Sequence, residues 1–352
     1  MPKLDAQVLE NLAAQIFERA GTAPEAARAV ASHLVEANLA GHDSHGVLRI
    51  PQYIDGIDDG TLNPAGRAEI VHETAAIAVI DGGRGFGQVI GREGMLLAIE
   101  KARGCGVGAV TVRHCSHTGR IGTYTTMAAR AGLAGVAMVN SGGGGQNVAP
   151  FGGTQRRLST NPLSIATPGA GDEVIMFDAA SSVAPEGKVR NLFQSGKNAP
   201  PGWMINAAGQ PTNNPGDFYG EPGGALLPLG GLVGHKGYAL AVMIDLLAGG
   251  LSGGGCCQSV PPPPADGMLA IALDVNQFLP LTDFRNQVVT LIEHVKSSAL
   301  APGYEQILAP GEPEAISRRR RLQEGVFVEP TVWHLIDGIR QRFGIADVAG
   351  GG

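Results

Sequence analysis

Between Arg113 and Gly122 the chain reads Arg-His-Cys-Ser-His-Thr-Gly-Arg-Ile-Gly. Two imidazoles and a thiol stand there beside arginine, after a β-branched run, Val107 to Val112, and before a helical pattern, Tyr124 to Ala131. That context predicts a strand-to-helix turn, where α/β proteins expose side chains and backbone N–H groups to ligands. Imidazole is suited to moving protons near neutral pH. A zinc site would need three or four converging ligands. His114 and His117 supply two, and no H-E-x-x-H pattern occurs, so metal-free acid/base chemistry is preferred and no metal is expected.

A second cluster, Asp43-Ser44-His45-Gly46 with Arg49 and Tyr53, joins hydroxyl, imidazole and guanidinium. Ser44 beside His45 can tune the ring by a hydrogen bond, and Arg49 offers a planar fork for a carboxylate. If Val47 to Tyr53 is helical, His45, Arg49 and Tyr53 follow at four-residue steps on one face, which counts Tyr53 with Arg49 as a substrate contact. Taken alone, the cluster also reads as a capping turn with an exposed histidine. A serine-hydrolase reading lacks its G-x-S-x-G elbow.

Further along, Asn140-Ser141 opens a glycine run, Gly142 to Gly145, which Val148-Ala149-Pro150-Phe151-Gly152-Gly153 closes. Small residues let backbone approach a ligand closely, and Asn140 or Ser141 can hydrogen-bond an amide. Ser159-Thr160-Asn161-Pro162 ends a similar turn. Asp178-Ala179-Ala180-Ser181-Ser182 closes a strand with an acid and hydroxyls, chemistry that suits a ribose diol. Lys236 puts a cation at the start of a predicted helix, a ready anion site. Each is compatible with an ordinary turn or cap, whereas the combination points to a bound ligand.

The elements that must position these groups are of two textures. The first forty residues read as two helices, with Leu4, Val8, Leu12 and Ile16 and then Ala27, Val30, Leu34 and Val35 at helical spacing. Thr22-Ala23-Pro24-Glu25 offers an N-cap to the second. From Ile77 onward short strands and helices alternate: Ile77 to Asp81, a helix from Val89 to Lys101, then Val107 to Val112, Ala137 to Val139, Ile175 to Phe177 and Leu269 to Val275. A long helix is expected from His235 through Leu247, and a closing one from Val332 to Phe343. Pro185 to Leu229, rich in Pro, Gly and Asn, reads as an extended loop layer. Cys256 to Gly267 reads as a surface loop, and the Gly350 to Gly352 tail as frayed.

Gly83-Arg84-Gly85-Phe86-Gly87 fails the dinucleotide fingerprint, because the third glycine is misplaced and no acid ends a strand about 20 residues on. The chain's 352 residues suffice for a large core and more than one domain. A net charge of −6 argues against a nucleic-acid binder. The one basic run, Arg318 to Arg321, has Glu312, Glu314 and Glu324 nearby and reads as a solvated helix face or ion-pair cluster. Four cysteines without a C-x-x-C pair fit neither a disulfide framework nor a thiolate zinc site. No signal-peptide core or membrane-length apolar run is seen, so a soluble cytoplasmic protein is expected, without membrane partners.

Taken in order, these motifs resemble the type 2 malate/L-lactate dehydrogenase family of NAD(P)-dependent oxidoreductases. The match rests on Asp43 to Gly46 with Arg49, Ser116 to Gly122, Val148 to Gly153, Thr160-Asn161-Pro162, Asp178 to Ser182, Gly187-Lys188, His235-Lys236-Gly237-Tyr238 and Gly311-Glu312-Pro313-Glu314. The resemblance implies a mixed α/β sheet with a non-Rossmann NAD(P)-binding fold over residues 76–279, carrying the loop layer at 185–230. It implies a helical domain built from residues 1–75 plus 280–352, and a homodimer whose site borrows from the second subunit. It places His45 and Arg49 by the substrate with His117 close to it. Asn140, Thr160, Asp178, Ala180, Ser182 and Lys236 would lie along NAD or NADP, and Arg120, Ser141, Asn161, Glu312 and His117 are counted with them.

The implied reaction is reversible hydride transfer between a 2-hydroxy acid and its 2-oxo acid. His45 is the expected proton carrier, Ser44 orients it, His117 polarises or substitutes, and Arg49 holds the carboxylate. The alternatives are reduction of a cyclic imine carboxylate on the same scaffold, an inactive cofactor-binding homologue and, more distantly, a metal-dependent hydrolase. Pro185-Glu186 departs from the family's usual alanine and second residue before Gly187-Lys188, the Gly142 to Asn147 stretch is glycine-richer than usual, and Cys256 to Pro264 looks unusual.

Overall fold

The computed structural model describes residues 3–260 and 265–347. Pro261 to Pro264 of the expected surface loop, and the Gly350 to Gly352 tail, lie outside the described residues.

Strand β1 (Lys3–Leu4) leads into α1 (Ala6–Arg19), where the Asp5 carboxylate accepts from the Gln7 and Val8 N–H groups and caps the first turn. Helix α2 (Pro24–Leu39) starts on a proline, which forgoes an N–H that would have had no partner there. The expected side-chain cap is not made: Ala23 holds the cap position, and Thr22 Oγ1 is buried without a partner. Apolar residues of both helices pack with α3 (Ile50–Asp58) into one core, which the chain's other end completes through Val326, Val328, Ile336 and Ile345. Both chain ends therefore hold the turns that carry Ser44, His45 and Arg49.

Next come β2 (Glu69–Glu73), β3 (Ile77–Asp81), α4 (Gly87–Cys105), β4 (Val107–Cys115), α5 (Gly122–Arg130), β5 (Leu133–Asn140), β6 (Pro162–Pro168) and β7 (Val174–Ala180). With β11 (Asp266–Asp274) they form a seven-stranded sheet in the order β2-β3-β4-β11-β5-β6-β7. Only β3 and β4, linked by α4, run parallel; every other neighbouring pair is antiparallel. This is a mixed sheet, as expected, and not a doubly wound one. The apolar runs of β4, β5 and β11 make its centre, with α4 and α5 burying Ile90, Met95, Tyr124 and Ala128 against it. Strands β2 and β6 are not evident from the sequence. The first is an exposed edge with polar residues, and the second begins on a proline.

The expected loop layer is instead a small folded unit. It contains α6 (Glu186–Gln194), β8 (Met204–Ile205), β9 (Pro211–Thr212), α7 (Pro215–Tyr219) and β10 (Ala225–Leu226), the strands pairing as β10-β8-β9. Val148, Val189, Met204, Phe218 and Leu226 give it a core of its own. Elements of two to nine residues are too short to show a period, so the segment reads as loop from sequence. Helix α8 (His235–Ile244) then continues as a π turn through Asp245–Gly250, past the expected end at Leu247.

The chain finishes with α9 (Leu281–Lys296), α10 (Glu312–Glu324), β12 (Val326–Phe327) paired to β1, and α11 (Pro330–Arg342). The basic run is an ion-pair cluster: Arg318 reaches Glu36, and Arg321 grips both oxygens of Asp43. Among the described residues no helix is long and apolar enough to cross a membrane.

Candidate active site

The expectation that His45, Arg49 and Tyr53 share one helix face is corrected by the backbone. His45 ends one 3-10 turn, Asp43–His45, and Arg49 ends a second, Val47–Arg49, with extended Gly46 between them; only Tyr53 lies within α3. Asn38 of α2 pins both turns, its amide donating to Asp43 and its oxygen accepting from the Val47 N–H. Arg321 holds Asp43 from the other side. The three side chains still converge, because separate turns aim them at one point.

That point is reached from the sheet by the loop after β4. The rings of His45 and His117 stack with centroids 5.5 Å apart and planes 17° off parallel. Ser44 Oγ lies 2.9 Å from His45 Nδ1, and the Tyr53 hydroxyl lies 2.8 Å from His117 Nδ1. Both rings thus spend one nitrogen on the protein. Arg49 donates from Nε to the Ser44 carbonyl (2.7 Å) and from Nη1 to Gln52 (2.6 Å). Its Nη2, and Nε2 of each imidazole, make no hydrogen bond to a described residue. Tyr53 is buried, and its hydroxyl meets His117 and Gln88.

The 117–122 loop is fixed by two groups the sequence did not single out, Asp266 and His33, and by one that it did, Asp178. Asp266, at the start of β11, accepts from both the N–H and the hydroxyl of Thr118 at 2.9 and 3.0 Å. His33 of α2 accepts from the Arg120 N–H at 3.0 Å, and the Asp178 carboxylate accepts from the Gly122 N–H at 3.0 Å. Two glycines are required by these contacts. A Cβ on Gly119, whose φ is +72°, would stand 2.5 Å from His33 Nε2, and one on Gly122 would stand 2.5 Å from Asp178 Oδ2. His114 points elsewhere, bonding Asp81 on the exposed face of β4, so the two histidines of the motif do not form one cluster.

Charge follows from crowding. Burial, then the Arg49 cation, pulls His45 down to about 3, and the same two causes, with His45 itself, hold His117 well below the ordinary imidazole range. Both rings are neutral at pH 7 in the free protein. Burial pushes the Asp266 carboxyl up to about 7, against the Thr118 hydrogen bonds and Arg49, which lower it.

The remaining candidates fall into two other groups. Arg120, Met176, Gly311, Glu312 and Glu314 line a cleft of about 780 Å³ between β7, α5, α9 and α10. Arg120 Nε stands 3.5 Å from Asp178, and Arg120 Nε and Thr123 Oγ1 are buried there without a hydrogen-bond partner. Asn140 and Asn161 instead meet at Asp245 beneath the π turn: both amides donate to its Oδ1, while the Cys257 N–H donates to Oδ2. Ser182 donates to the Ala184 carbonyl, Thr160 gives its carbonyl to Ser181, and Ala180 pairs with Pro162 across β6 and β7. Ser141 opens the loop after β5, and Lys236 is exposed on the first turn of α8.

Gln88, Asp266, His33 and Asp245 were missed because their partners lie far along the chain. A signal existed for two of them: Gln88 is a polar residue on the buried stripe of α4 with Gly91 and Met95, and Asp266 is an acid opening an apolar strand. Among the described residues no group of three His, Cys, Asp or Glu is placed to hold a metal.

Comparison with known proteins bears on the whole chain. A family model described as malate/L-lactate dehydrogenase matches residues 4–337. A malate dehydrogenase of Pyrococcus abyssi is 38% identical over 345 residues, covering 96% of this chain and 94% of that protein. The structure of malate dehydrogenase from Pyrococcus horikoshii OT3 superposes with a TM-score of 0.88 at 35% identity, covering 99% of this chain and 97% of that one. A delta1-piperideine-2-carboxylate reductase from Pseudomonas syringae pvar. tomato superposes with a TM-score of 0.82 at 29% identity, over 96% and 100%.

Proposed function

The chain belongs to the malate/L-lactate dehydrogenase family, and from that premise we propose that it interconverts a 2-hydroxy acid and its 2-oxo acid with NAD or NADP, using His45 as proton carrier and Arg49 as carboxylate anchor. The observation that carries the reading is the meeting of three unspent groups, His45 Nε2, His117 Nε2 and Arg49 Nη2, on half-buried side chains joined by ring stacking and the Ser44 and Tyr53 bonds.

The residues present fit a dinucleotide. The cleft's 780 Å³ is the size of a small-molecule site, and Thr123, which lines it, keeps a buried hydroxyl without a partner. The Thr118 to Gly122 loop joins that cleft to His117, so a bound cofactor would be held by Arg120, Glu312 and the neighbourhood of Asp178. When bound, the nicotinamide supplies the hydride chemistry.

Arg49 receives the substrate carboxylate on its free edge, which fixes the 2-oxo group toward the stacked imidazoles. His117 donates a hydrogen bond to the carbonyl oxygen and polarises it. In the reduction direction, protonated His45 gives its Nε2 proton to that oxygen, and in oxidation the neutral ring takes it back. The anion on Arg49 also cancels part of the repulsion that keeps His45 deprotonated. Substrate binding therefore raises the ring's proton affinity at the step where a proton is needed.

Cyclic imine reduction is the second reading, favoured by the reductase superposition and needing the same anchor. A panel of 2-oxo acids and cyclic imine carboxylates, each with NADH and with NADPH and followed by nicotinamide absorbance, separates them. The proposal expects saturable oxidation of the cofactor with at least one 2-oxo acid. Turnover of imines alone, or tight cofactor binding with no turnover, contradicts it. A homodimer fits the exposed apolar residues around α8, Leu232, Val233, Met243, Leu246 and Leu251, which a second copy would cover.

A further inference from the structure

We propose that Gln88 and Tyr53 are positioning residues that lock His117 in the tautomer with its proton on Nε2, leaving His45 as the ring that changes charge. The inference rests on the dehydrogenase reading for its purpose, though not for its geometry.

Gln88 Nε2 lies 2.6 Å from the Tyr53 hydroxyl, which lies 2.8 Å from His117 Nδ1. Gln88 and Tyr53 are each only 2% exposed, so no solvent competes for these bonds. An amide N–H donates and cannot accept. The tyrosine proton must therefore go to the one other atom within reach, His117 Nδ1. Accepting there, Nδ1 is unprotonated, and the neutral ring carries its hydrogen on Nε2, the nitrogen the protein leaves unspent. This direction follows from the Gln88 amide orientation that the structure shows, with Oε1 buried and without a donor. The flipped amide would take the tyrosine proton on Oε1 and put the His117 hydrogen on Nδ1, the outcome that the tautomer measurement below distinguishes.

The ring that packs on His117 has no such chain. His45 Nδ1 faces a Ser44 hydroxyl, which can donate or accept and so follows the ring through either charge state. Two stacked imidazoles 5.5 Å apart do not both ionise readily, and the chain decides which one abstains. The charged and titratable groups facing His117 are Arg49 and Tyr53 from the turn and α3, His45 from the preceding turn, and His33 from α2. The cations among them oppose a second charge as well.

The test reads the tautomer first and the rate second. Imidazole 15N NMR of the full-length protein, with His117 assigned by its loss in His117→Gln, should show Nδ1 bare and Nε2 protonated. Tyr53→Phe, which keeps the ring packed on Phe17 and Phe86, should turn that single state into a mixture. Its kcat should fall roughly 10-fold or more with KM changed far less, and the acidic limb of its pH profile should move to higher pH as His117 becomes easier to protonate. Gln88→Met, which removes the donor that fixes the hydroxyl's direction, should also loosen the single tautomer and lower kcat, by less than Tyr53→Phe, and a tautomer untouched by it would remove Gln88 from the lock. A wild-type His117 protonated on Nδ1, or a tautomer untouched by Tyr53→Phe, overturns the lock. Because NMR needs no turnover, an enzyme inactive on every 2-oxo acid would sink the dehydrogenase reading and leave the lock standing or falling on its own.

Discussion

The pocket around His117 and the hub around Asp245 are both polar clusters at the ends of core strands, and they differ in what they leave unspent. At the hub, Asp245 Oδ1 takes the amides of Asn140 and Asn161, and Oδ2 takes the Cys257 N–H, so the carboxylate is consumed by the fold, while the unpartnered Asn140 Oδ1 and Asn161 Oδ1 are sealed from solvent. At the pocket, each imidazole gives one nitrogen to the protein and keeps the other, and Arg49 keeps one edge. Polar residues at strand ends make a site only where their bonding capacity is left over and converges. Composition cannot show that difference.

The largest effect that sharpens this contrast is on rate. His45→Asn should lower kcat by about 10²–10⁴ while cofactor affinity, measured by fluorescence titration, stays near wild type. Asp245→Ala should do the reverse. It takes one acceptor from each of two amides, which keep the Gly255 and Ala241 carbonyls, and leaves the Cys257 N–H without one, which costs about 3 kcal/mol of stability, with kcat per folded molecule little changed. Denaturant unfolding and active-site titration read the two quantities separately. Equal loss of turnover in both variants would erase the distinction.

Acid should find the pocket first. His33 and His45 are held neutral down to about 3, so the stability they confer is complete above pH 6.5 and is lost as pH falls from there toward 3. A displacement of that size corresponds to at most roughly 5 kcal/mol per ring. Asp266 works in the opposite sense, since a carboxyl raised to about 7 stabilises the fold fully below its unfolded pKa and less as pH rises through 7. Two rings outweigh one carboxyl, and thermal unfolding should show Tm dropping between pH 6.5 and 4. A flat Tm across that range contradicts the electrostatic account.

The smallest of these effects concerns binding. Arg49→Lys should raise the 2-oxo acid KM about 10-fold with a modest change in kcat, because a point charge cannot copy a two-bond fork. An unaltered KM would move the carboxylate anchor elsewhere, with Lys236 the next cation to examine.

Much of the chemistry was legible because it is local. Ser44 and His45 are neighbours, and Arg49 follows within one turn, so spacing alone placed them together, even though the backbone is two 3-10 turns and not one helix. The central strands were legible for the same reason, as apolar runs between glycines. Pairings that close over long stretches of chain left no such mark. Gln88 meets Tyr53 across 35 residues and Asp266 meets Thr118 across 148, and neither separation has a period to betray it. The 185–230 segment hid its fold in strands of two residues.

The central claim is that His45, His117 and Arg49 surround a single bound acid. A crystal structure of the complex with the reduced cofactor and an unreactive 2-oxo acid analogue tests it most directly. The account predicts the analogue's carboxylate on Arg49 and its C2 oxygen within hydrogen-bond distance of Nε2 of both rings. An analogue seated away from Arg49, or one touching neither imidazole, would contradict it.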